Sequence, residues 1–451
     1  MLRKHKEDTL KDTSLEINIE EKLSQLNEIK PIEQNERGIR ITEEFWGPLW
    51  QYINDDTVTD IDYNGHDLRV RTTKRSKHRV DTNLSNDFVE AICNRIANEV
   101  AKEFNVQNPI LEAETDYLRI SVVHETRNKR GKSICIRRVP KINRITPKSA
   151  IEDMYASPEM LAFLINCVHA HCNFTICGEI GSGKTELCKF LSSFIPDDER
   201  VITIEDNYEL QYSSIRPEAD CIELRVDSSF TYDDAIKASL RQNGKWLIIA
   251  EVRDKETKSY LKQLSSGVNG ITTLHTDDVR NIPSRIANMI GETDSVNNIL
   301  EDAYTFLNIG IYLGIKVNPD GSIYRFIDQV CVFENNSGNH MAKLIYANGR
   351  PLDKDYQTLL PTNFAKKLKK EGIEDPFRCE EVDEILDKVS IKENTYFDSY
   401  EERVFAQEEK KSREVVGVDA LFMDQDEENN TGVNQEEHSE LFSKKPRVIT
   451  Q

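Results

Sequence analysis

The segment from Gly178 to Thr185 has the residue types and spacing of a phosphate-binding loop, or P-loop. It reads Gly-Glu-Ile-Gly-Ser-Gly-Lys-Thr, so that a glycine and four further residues precede Gly-Lys-Thr. Glycines let backbone N–H groups turn inward around phosphate without a side-chain clash. Lys184 adds positive charge for the β- and γ-phosphates, and the Thr185 hydroxyl can coordinate Mg²⁺. The predicted ATP-binding residues are Gly178, Glu179, Ile180, Gly181, Ser182, Gly183, Lys184, Thr185 and Glu186.

The segments on either side of this loop are those that a phosphate site needs. A short apolar strand is predicted at 174–177, and an amphipathic helix is predicted after the loop, with Leu187, Phe190, Leu191 and Phe194 on one side. Such a helix presents the positive end of its dipole to phosphate. The setting favours a functional loop over a chance match.

Glu205, Glu251 and His275 each follow a short, apolar, β-branched stretch that predicts a buried strand. The carboxyl ends of parallel strands form the edge where α/β folds bind ligands. Glu251 stands where a Walker B carboxylate belongs, and can hold Mg²⁺ or position the attacking water. Glu205 can orient water, and Arg253, close to Glu251, is a further catalytic candidate. The alternatives are a solvated loop for the Glu205 segment, a strand-end charge for Glu251 and a structural role for His275.

The order of the predicted elements divides the chain into two folded parts. Between about 150 and 335, helices alternate with strands, which predicts a mostly parallel sheet covered by helices. A terminal hairpin is predicted at 309–317 and 322–333. N-terminal to the alternating segment, strands at 59–63, 68–71, 118–123 and 133–137, with an amphipathic helix at 87–100, predict a smaller α+β domain.

The predicted organisation covers the whole chain. Its parts are a flexible N-terminal arm (1–40, with a helical stretch at 17–29), an α+β N-terminal domain (41–139), a linker (140–150), a P-loop ATPase domain (151–340), a C-terminal helical extension (341–400) and an acidic, disordered tail (401–451).

Composition excludes several classes of protein. Apolar residues make up 38% and charged residues 31%, as in globular proteins, and no apolar run approaches the roughly 20 residues that cross a bilayer. We expect a cytoplasmic protein, or one peripheral at the cytoplasmic face of a membrane. The net charge of −20 argues against direct nucleic-acid binding, which needs a basic surface. The tail from 401 to 440 alone has 13 acidic and 4 basic residues, a net −9.

The nine cysteines show no regular pairing, which is typical of reduced intracellular thiols. Cys167, His169, His171, Cys172 and Cys177 lie close together in sequence and raise the alternative of a zinc site. The first four end a predicted helix, whereas Cys177 lies in the next strand. We therefore favour a structural role for this cluster.

Together these segments resemble the secretion-superfamily or traffic ATPases, which serve type II and type IV secretion, conjugation, and type IV or Flp/Tad pilus assembly. The P-loop is followed by an acidic box, an arginine segment, the Glu251 segment and a histidine box in the same order as in that family. The matching residues are 203–210, Leu240 and Arg241, 250–254, 270–276 and Arg285, with 108–112, Arg119, Ile136 and Arg137 in the N-terminal domain. The resemblance covers about 45–335.

The resemblance implies a RecA-like P-loop NTPase domain and a homohexameric ring, with nucleotide held between the two domains. It implies that Glu205 and Glu251 lie nearest the hydrolytic water. Arg119, Arg137 and Arg241 become candidates for phosphate contacts across a domain or subunit interface, with a surface salt bridge as the alternative for each. The chain departs from the family pattern at Glu186, Gly244, Lys245, Ala250 and Val268.

The resulting hypothesis is an ATP-hydrolysing motor of a secretion, conjugation or pilus machine. Its expected partners are further copies of itself and inner-membrane secretion or pilus platform proteins. Two alternatives belong to other classes, namely an ATP-binding regulatory or assembly component with weak turnover, and a DNA-translocating P-loop ATPase. The three kinds of machine share these motifs, so the sequence does not separate them.

Overall fold

The computed structural model describes residues 39–115, 117–139, 141–253, 256–290, 296–352 and 356–388. The predicted arm, except for its last two residues, and the acidic tail lie outside these ranges. The chain divides into two compact units after Val382, and of the second, Asp383–Gln451, the structure describes residues 383–388. Both β-sheets belong to the first unit.

The N-terminal domain contains a six-stranded antiparallel sheet. Its strands are β1 (Val58–Tyr63), β2 (Leu68–Thr72), β3 (His78–Arg79), β4 (Ile110–Glu114), β5 (Leu118–Val123) and β6 (Ser133–Arg138), in the order β3-β2-β1-β6-β5-β4. Apolar and polar residues alternate along β5 and β6, so one face of the sheet is buried and the other is polar. The four predicted strands are present.

Three helices pack on the apolar face of this sheet. They are α1 (Glu43–Trp46), α2 (Trp50–Ile53) and α3 (Asn86–Glu99). The hydroxyl of Ser85 caps α3 by accepting from the N–H of Phe88 at 3.2 Å. One stripe of α3, including Val89, Ile92 and Ile96, is buried against the strands. The amphipathic pattern of the sequence therefore predicted both this helix and its buried face.

A nine-stranded sheet forms the second part. Its strands are β7 (Phe174–Gly178), β8 (Val201–Glu205), β9 (Cys221–Arg225), β10 (Trp246–Ile249), β11 (Asn269–Leu274), β12 (Ile309–Val317), β13 (Ile323–Asn336), β14 (Asn339–Ala347) and β15 (Arg350–Pro351). The order is β15-β14-β13-β12-β7-β11-β10-β8-β9. The strands from β12 to β9 run parallel, and β13, β14 and β15 are antiparallel additions.

The central strands are buried at every position because helices cover the sheet. The helices that follow the N-terminal domain along the chain are α4 (Pro147–Glu152), α5 (Pro158–His169), α6 (Lys184–Ser192), α7 (Tyr212–Ile215), α8 (Tyr232–Ser239), α9 (Glu256–Ser265), α10 (Ile282–Ile290), α11 (Val296–Phe306), α12 (Tyr356–Leu359), α13 (Thr362–Lys370) and α14 (Glu380–Lys388). Within the described ranges, no helix has the length and apolar character that a membrane span requires.

The predicted fold class is confirmed: an α/β, RecA-like P-loop domain follows a smaller α+β domain. The predicted end of the P-loop domain, residue 340, falls inside the nine-stranded sheet, at the start of β14. Five of the described strands were not predicted, namely β3, β4, β9, β14 and β15. β9 is a half-buried edge strand and β14 is largely half-buried, so neither shows the apolar run of a central strand.

The hairpin of β12 and β13 touches the N-terminal domain at its tip. The N–H of Ser76 donates to the carbonyl of Gly321 at 2.8 Å, and the N–H of Ile323 donates to that of Lys74 at 2.8 Å. Arg75 and Ser322 form a β-bridge between these two bonds. The loop after β2 is therefore joined to the P-loop domain by backbone pairing.

Candidate nucleotide site

The P-loop connects the end of β7 to the start of α6, as predicted. Its backbone requires glycine at two positions in particular. Gly178 has φ of 144°, and a Cβ there would lie 2.7 Å from the carbonyl oxygen of Leu313 and 2.9 Å from Ser182 Oγ. Gly181 has φ of 81°, in the left-handed region that favours glycine. The loop thus folds into a tight turn at the N-terminus of α6, where backbone N–H groups can bind an anion.

Two side chains of the loop have unusual surroundings. Lys184 Nζ donates to the carbonyls of Gly178 at 2.9 Å and Glu179 at 3.1 Å. Burial lowers the pKa of Lys184, and the nearby carboxylate of Glu251 opposes that shift. Ser182 is fully buried, and its Oγ has no hydrogen-bond partner among the described residues. A buried hydroxyl without a partner is costly, and a phosphate oxygen is the kind of acceptor that it lacks.

Glu205, at the end of β8, is a buried carboxyl group. Its Oε2 accepts hydrogen bonds from the N–H groups of Glu209 and Leu210, both at 2.9 Å. Its Oε1 has no partner among the described residues. Burial raises the pKa of Glu205 to about 8, although the two N–H groups act in the opposite direction. A carboxyl with such a pKa can exchange a proton with water near neutral pH.

Glu251 lies just beyond β10 and contacts two other predicted residues. Arg253 Nη2 donates to Glu251 Oε2 at 2.7 Å. His275 Nε2 lies 3.4 Å from Glu251 Oε1. The carboxyl ends of β7, β10 and β11 therefore bring Lys184, Glu251 and His275 to one edge of the sheet, as their positions after predicted parallel strands indicated.

These residues fit a magnesium nucleotide. The loop presents N–H groups and the Lys184 ammonium to phosphates, and the unpartnered Ser182 Oγ lies buried in the turn. Thr185, at the start of α6, and Glu251 supply the oxygen ligands that Mg²⁺ prefers.

Glu186 has a side chain engaged away from the loop glycines. Its Oε1 lies 3.9 Å from Arg144 Nη1 and 3.6 Å from Lys189 Nζ. Only the backbone N–H of Glu186 therefore remains for the predicted phosphate contact, and the departure from the family pattern at this position is compensated by two basic side chains.

Arg119 and Arg137 lie on the polar face of the N-terminal sheet, next to the loop after β8. Arg119 Nη1 is 3.9 Å from Glu209 Oε1. Asn207, in the amide orientation that satisfies its neighbours, accepts from both Nη atoms of Arg119 at 3.1 Å. Arg137 Nε donates to Asp60 at 3.3 Å. Both arginines therefore belong to the boundary between the two domains.

Arg241 lies near the amino ends of the parallel strands, on the side of the nine-stranded sheet opposite the P-loop. It precedes β10 and is followed by Gln242, whose carbonyl accepts from Arg200 Nη1 at 2.9 Å, just before β8 begins. The P-loop follows the carboxyl end of β7, so the structure does not bring Arg241 to the P-loop of its own chain. A contact across a subunit interface stays a prediction.

Sequence comparisons agree with this geometry. Residues 106–304 match the model of the family described as Type II/IV secretion system protein. An uncharacterised protein of Bacillus anthracis is 31% identical over 305 residues, which cover 65% of this chain and 69% of that protein. This chain belongs to the type II/IV secretion system protein family.

Two relatives show how much of the chain the similarity covers. VirB11 of Agrobacterium fabrum is 35% identical over 133 residues, 28% of this chain and 38% of that protein. This chain thus matches well under half the length of that relative. A solved structure, the VirB11 ATPase of the Brucella suis type IV secretion system in complex with sulphate, is 22% identical, with a TM-score of 0.35. It covers 66% of this chain and 95% of that one. Family membership follows from the sequence matches.

Two arginines near the P-loop were not predicted. A Cβ on Gly181 would lie 3.0 Å from Arg71 Nη1, and Arg325 Nε donates to the Gly181 carbonyl at 2.9 Å. Both lie outside 106–304, the part that matches the secretion family. The sequence carried one usable signal, because Arg71 alternates with the apolar Leu68 and Val70 along β2 and therefore lies on the polar face.

Proposed function

We propose that this chain hydrolyses ATP and is the motor of a type II or type IV secretion, conjugation or pilus assembly machine. The observation that supports this best is the pair of carboxyl groups beside the P-loop. Glu205 and Glu251 end two strands that hydrogen-bond to each other in parallel, and Lys184 lies close enough to Glu251 for its charge to be affected. Membership of the secretion family also supports ATPase chemistry, at the level of the family as a whole.

The proposed roles follow from position and charge. The loop N–H groups and Lys184 bind the β- and γ-phosphates. Thr185 and Glu251 hold Mg²⁺, which neutralises charge on the phosphates when it is bound. Glu205, as a carboxylate, accepts a proton from the attacking water, and its two backbone hydrogen bonds hold it in place. His275 and Arg253 orient Glu251 through the contacts described above.

The proposal extends to assembly. Arg119 and Arg137, on the N-terminal domain, contact or lie near Glu209, so the position of that domain and the acidic loop are linked. We propose a hexameric ring of identical chains on the cytoplasmic face of a membrane, attached to inner-membrane platform proteins. Closure of the two domains around nucleotide would then drive the machine.

Steady-state ATPase assays test the enzymatic part. Wild type should turn over ATP, whereas Lys184→Ala and Glu251→Gln should lower kcat by about 10² or more, as loss of a single electrostatic stabiliser does. Lys262→Ala and Glu218→Gln, both at exposed positions far from the loop in sequence, are matched controls and should behave as wild type. Wild-type turnover no higher than that of the Lys184 variant would rule out the motor.

The same assays separate the alternatives. Tight ATP binding without turnover would indicate a regulatory or assembly component. Turnover stimulated severalfold by DNA would indicate a DNA-translocating ATPase. Light scattering with and without nucleotide tests the ring, and the genes beside this one, encoding a pilin, a coupling ATPase or a relaxase, would distinguish the machines.

A further inference from the structure

A row of charged residues crosses the polar face of the N-terminal sheet. The strand register sets each member directly opposite the next, on β4, β5, β6, β1 and β2. The members, in order, are Glu114, Arg119, Arg137, Asp60 and Arg71. We call these five residues the charged row. Strands lie about 4.8 Å apart, so Arg119 and Arg71 are separated by about 14 Å.

The two halves of the charged row face different parts of the nucleotide site. Towards one end Arg119 contacts Glu209, in the loop whose backbone N–H groups hydrogen-bond to Glu205. At the other end Arg71 lies against Gly181 of the P-loop. A nucleotide bound in the P-loop, with a water molecule near Glu205, would therefore lie next to the sheet face that carries the charged row.

Arg325, on β13, reaches the same place from the P-loop domain. Its Nε donates to the carbonyl of Gly181 at 2.9 Å and its Nη1 donates to the carbonyl of Thr73, just after β2, at 2.5 Å. Its Cδ lies 3.7 Å from where a Cβ of Gly183 would be. The side chain thus extends along the loop from Gly183 to Gly181 and joins the loop to the N-terminal domain.

These two guanidinium groups lack a carboxylate of their own. Within the described ranges neither Arg71 nor Arg325 has an ion-pair partner within 4 Å, and Arg71 Nε is buried without a hydrogen bond. Burial, and then the charge of Arg71, lower the pKa of Arg325. Two acidic groups of this region are already paired, because Asp60 accepts from Arg137 and Glu186 lies beside Arg144 and Lys189.

Two like charges that share a half-buried place are unfavourable unless an anion compensates them. Arginine binds phosphate oxygens well because its planar fork can donate two parallel hydrogen bonds. The Nε of Arg71 is a donor without a partner, and Nη1 of the same guanidinium lies at the loop whose backbone already suits phosphate. The missing anion is therefore expected to be the nucleotide itself.

We propose that Arg71 and Arg325 bind the phosphates of the nucleotide, so that the N-terminal domain and β13 both complete the P-loop site. The inference rests on the proposed function, since it requires a nucleotide in the loop. It assigns phosphate binding to two residues that lie outside 106–304, the part of this chain that matches the family model.

Equilibrium binding of ATP and ADP to the full chain, by titration calorimetry with Mg²⁺, tests the inference. Arg71→Gln and Arg325→Gln should each weaken ATP binding at least tenfold. Arg71→Lys and Arg325→Lys keep the positive charge but lose the two-point fork, so they should bind ATP more weakly than wild type and more tightly than the glutamine variants. Arg69→Gln is the matched control, because Arg69 lies on the same strand and the same face but two residues away, and it should bind as wild type.

The outcomes separate the two proposals. If wild type binds nucleotide, Lys184→Ala does not, and both glutamine variants bind as wild type, the inference is wrong while the proposed function stands. Lysine variants as weak as the glutamine variants would also overturn it, because positive charge at these two positions would then contribute nothing to nucleotide binding. If wild type binds no nucleotide, the proposed function fails and the inference fails with it.

Discussion

Arg253 donates a hydrogen bond to Glu251 through Nη2 and Oε2 at 2.7 Å. Nε2 of His275 lies 3.4 Å from the other oxygen of that carboxylate. The Arg253 side chain is 63% exposed, so the contact can orient Glu251 but does not bury its charge. The Glu251 carboxylate therefore lies between the guanidinium of Arg253 and the imidazole of His275.

Removing that donor should slow turnover. In Arg253→Ala we expect kcat to fall by roughly 10- to 100-fold, because a misplaced catalytic carboxylate costs up to about 10² in rate. The Km for ATP should change less than kcat, as measured in steady-state assays. Arg280→Ala is a close control, since Arg280 pairs with Asp278 two residues earlier in the same manner. Equal losses in both variants would contradict a specific role of Arg253.

Glu205 should impose a pH dependence on turnover. Its pKa is raised to about 8 by burial, so at pH 7 most molecules carry the neutral carboxyl, which cannot accept a proton. We expect kcat to rise up to tenfold per unit as pH increases toward about 8, and to level above it. Glu205→Gln should be slow and flat across this range. A wild-type profile that is level from pH 6 to 9 would contradict a proton-accepting role.

The same shift makes a prediction for folding stability without nucleotide. Between about pH 4.5 and about pH 8 the unfolded chain has released the Glu205 proton while the folded chain retains it. The unfolded state then binds fewer protons, so the free energy of unfolding falls as pH rises through this window. The slope is at most about 1.4 kcal/mol per pH unit. Urea denaturation at pH 5 and pH 8 should show this slope missing from the Glu205→Gln variant, relative to wild type.

The contact between Arg225 and Glu114 joins the two sheets at the edge of the charged row. The Nη1–Oε2 and Nη2–Oε1 distances are 2.8 and 3.1 Å, a two-point pair. Because the side chains are 46% and 37% exposed, solvent screens the attraction. A double-mutant cycle with alanine at both positions, measured by denaturant unfolding, should give a coupling energy of about 0.2–1 kcal/mol. A coupling near zero would mean that this pair does not hold the domains together.

Local patterns accounted for much of the fold. The β-branched runs that became β7, β8, β10 and β11 are apolar at every position because helices cover both faces of the sheet. The P-loop was recognisable because glycine, lysine and threonine at that spacing have a specific chemical use. The features that identify these strands and the P-loop involve residues only a few positions apart, so a short stretch of sequence is enough to predict them.

The half-buried strands and the end of the P-loop domain were harder to predict from the sequence. β9 and β14 carry polar and half-buried residues, so their strand character depends on the neighbours with which they pair. β14 extends the sheet past residue 340, because it pairs with β13 along most of its length. The local mark of that pairing is the two-residue turn Ser337-Gly338, where both residues have positive φ.

The sequence alone determined where phosphate could bind and which strand ends carry Glu205, Glu251 and His275, since those features depend on short spacings and on the period of each strand. Only the tertiary structure decided that Arg71 and Arg325 meet at Gly181 and that Arg241 lies on the side of the sheet opposite the P-loop. Those relations depend on the register between strands and on how two domains pack, and each joins residues many positions apart in the chain.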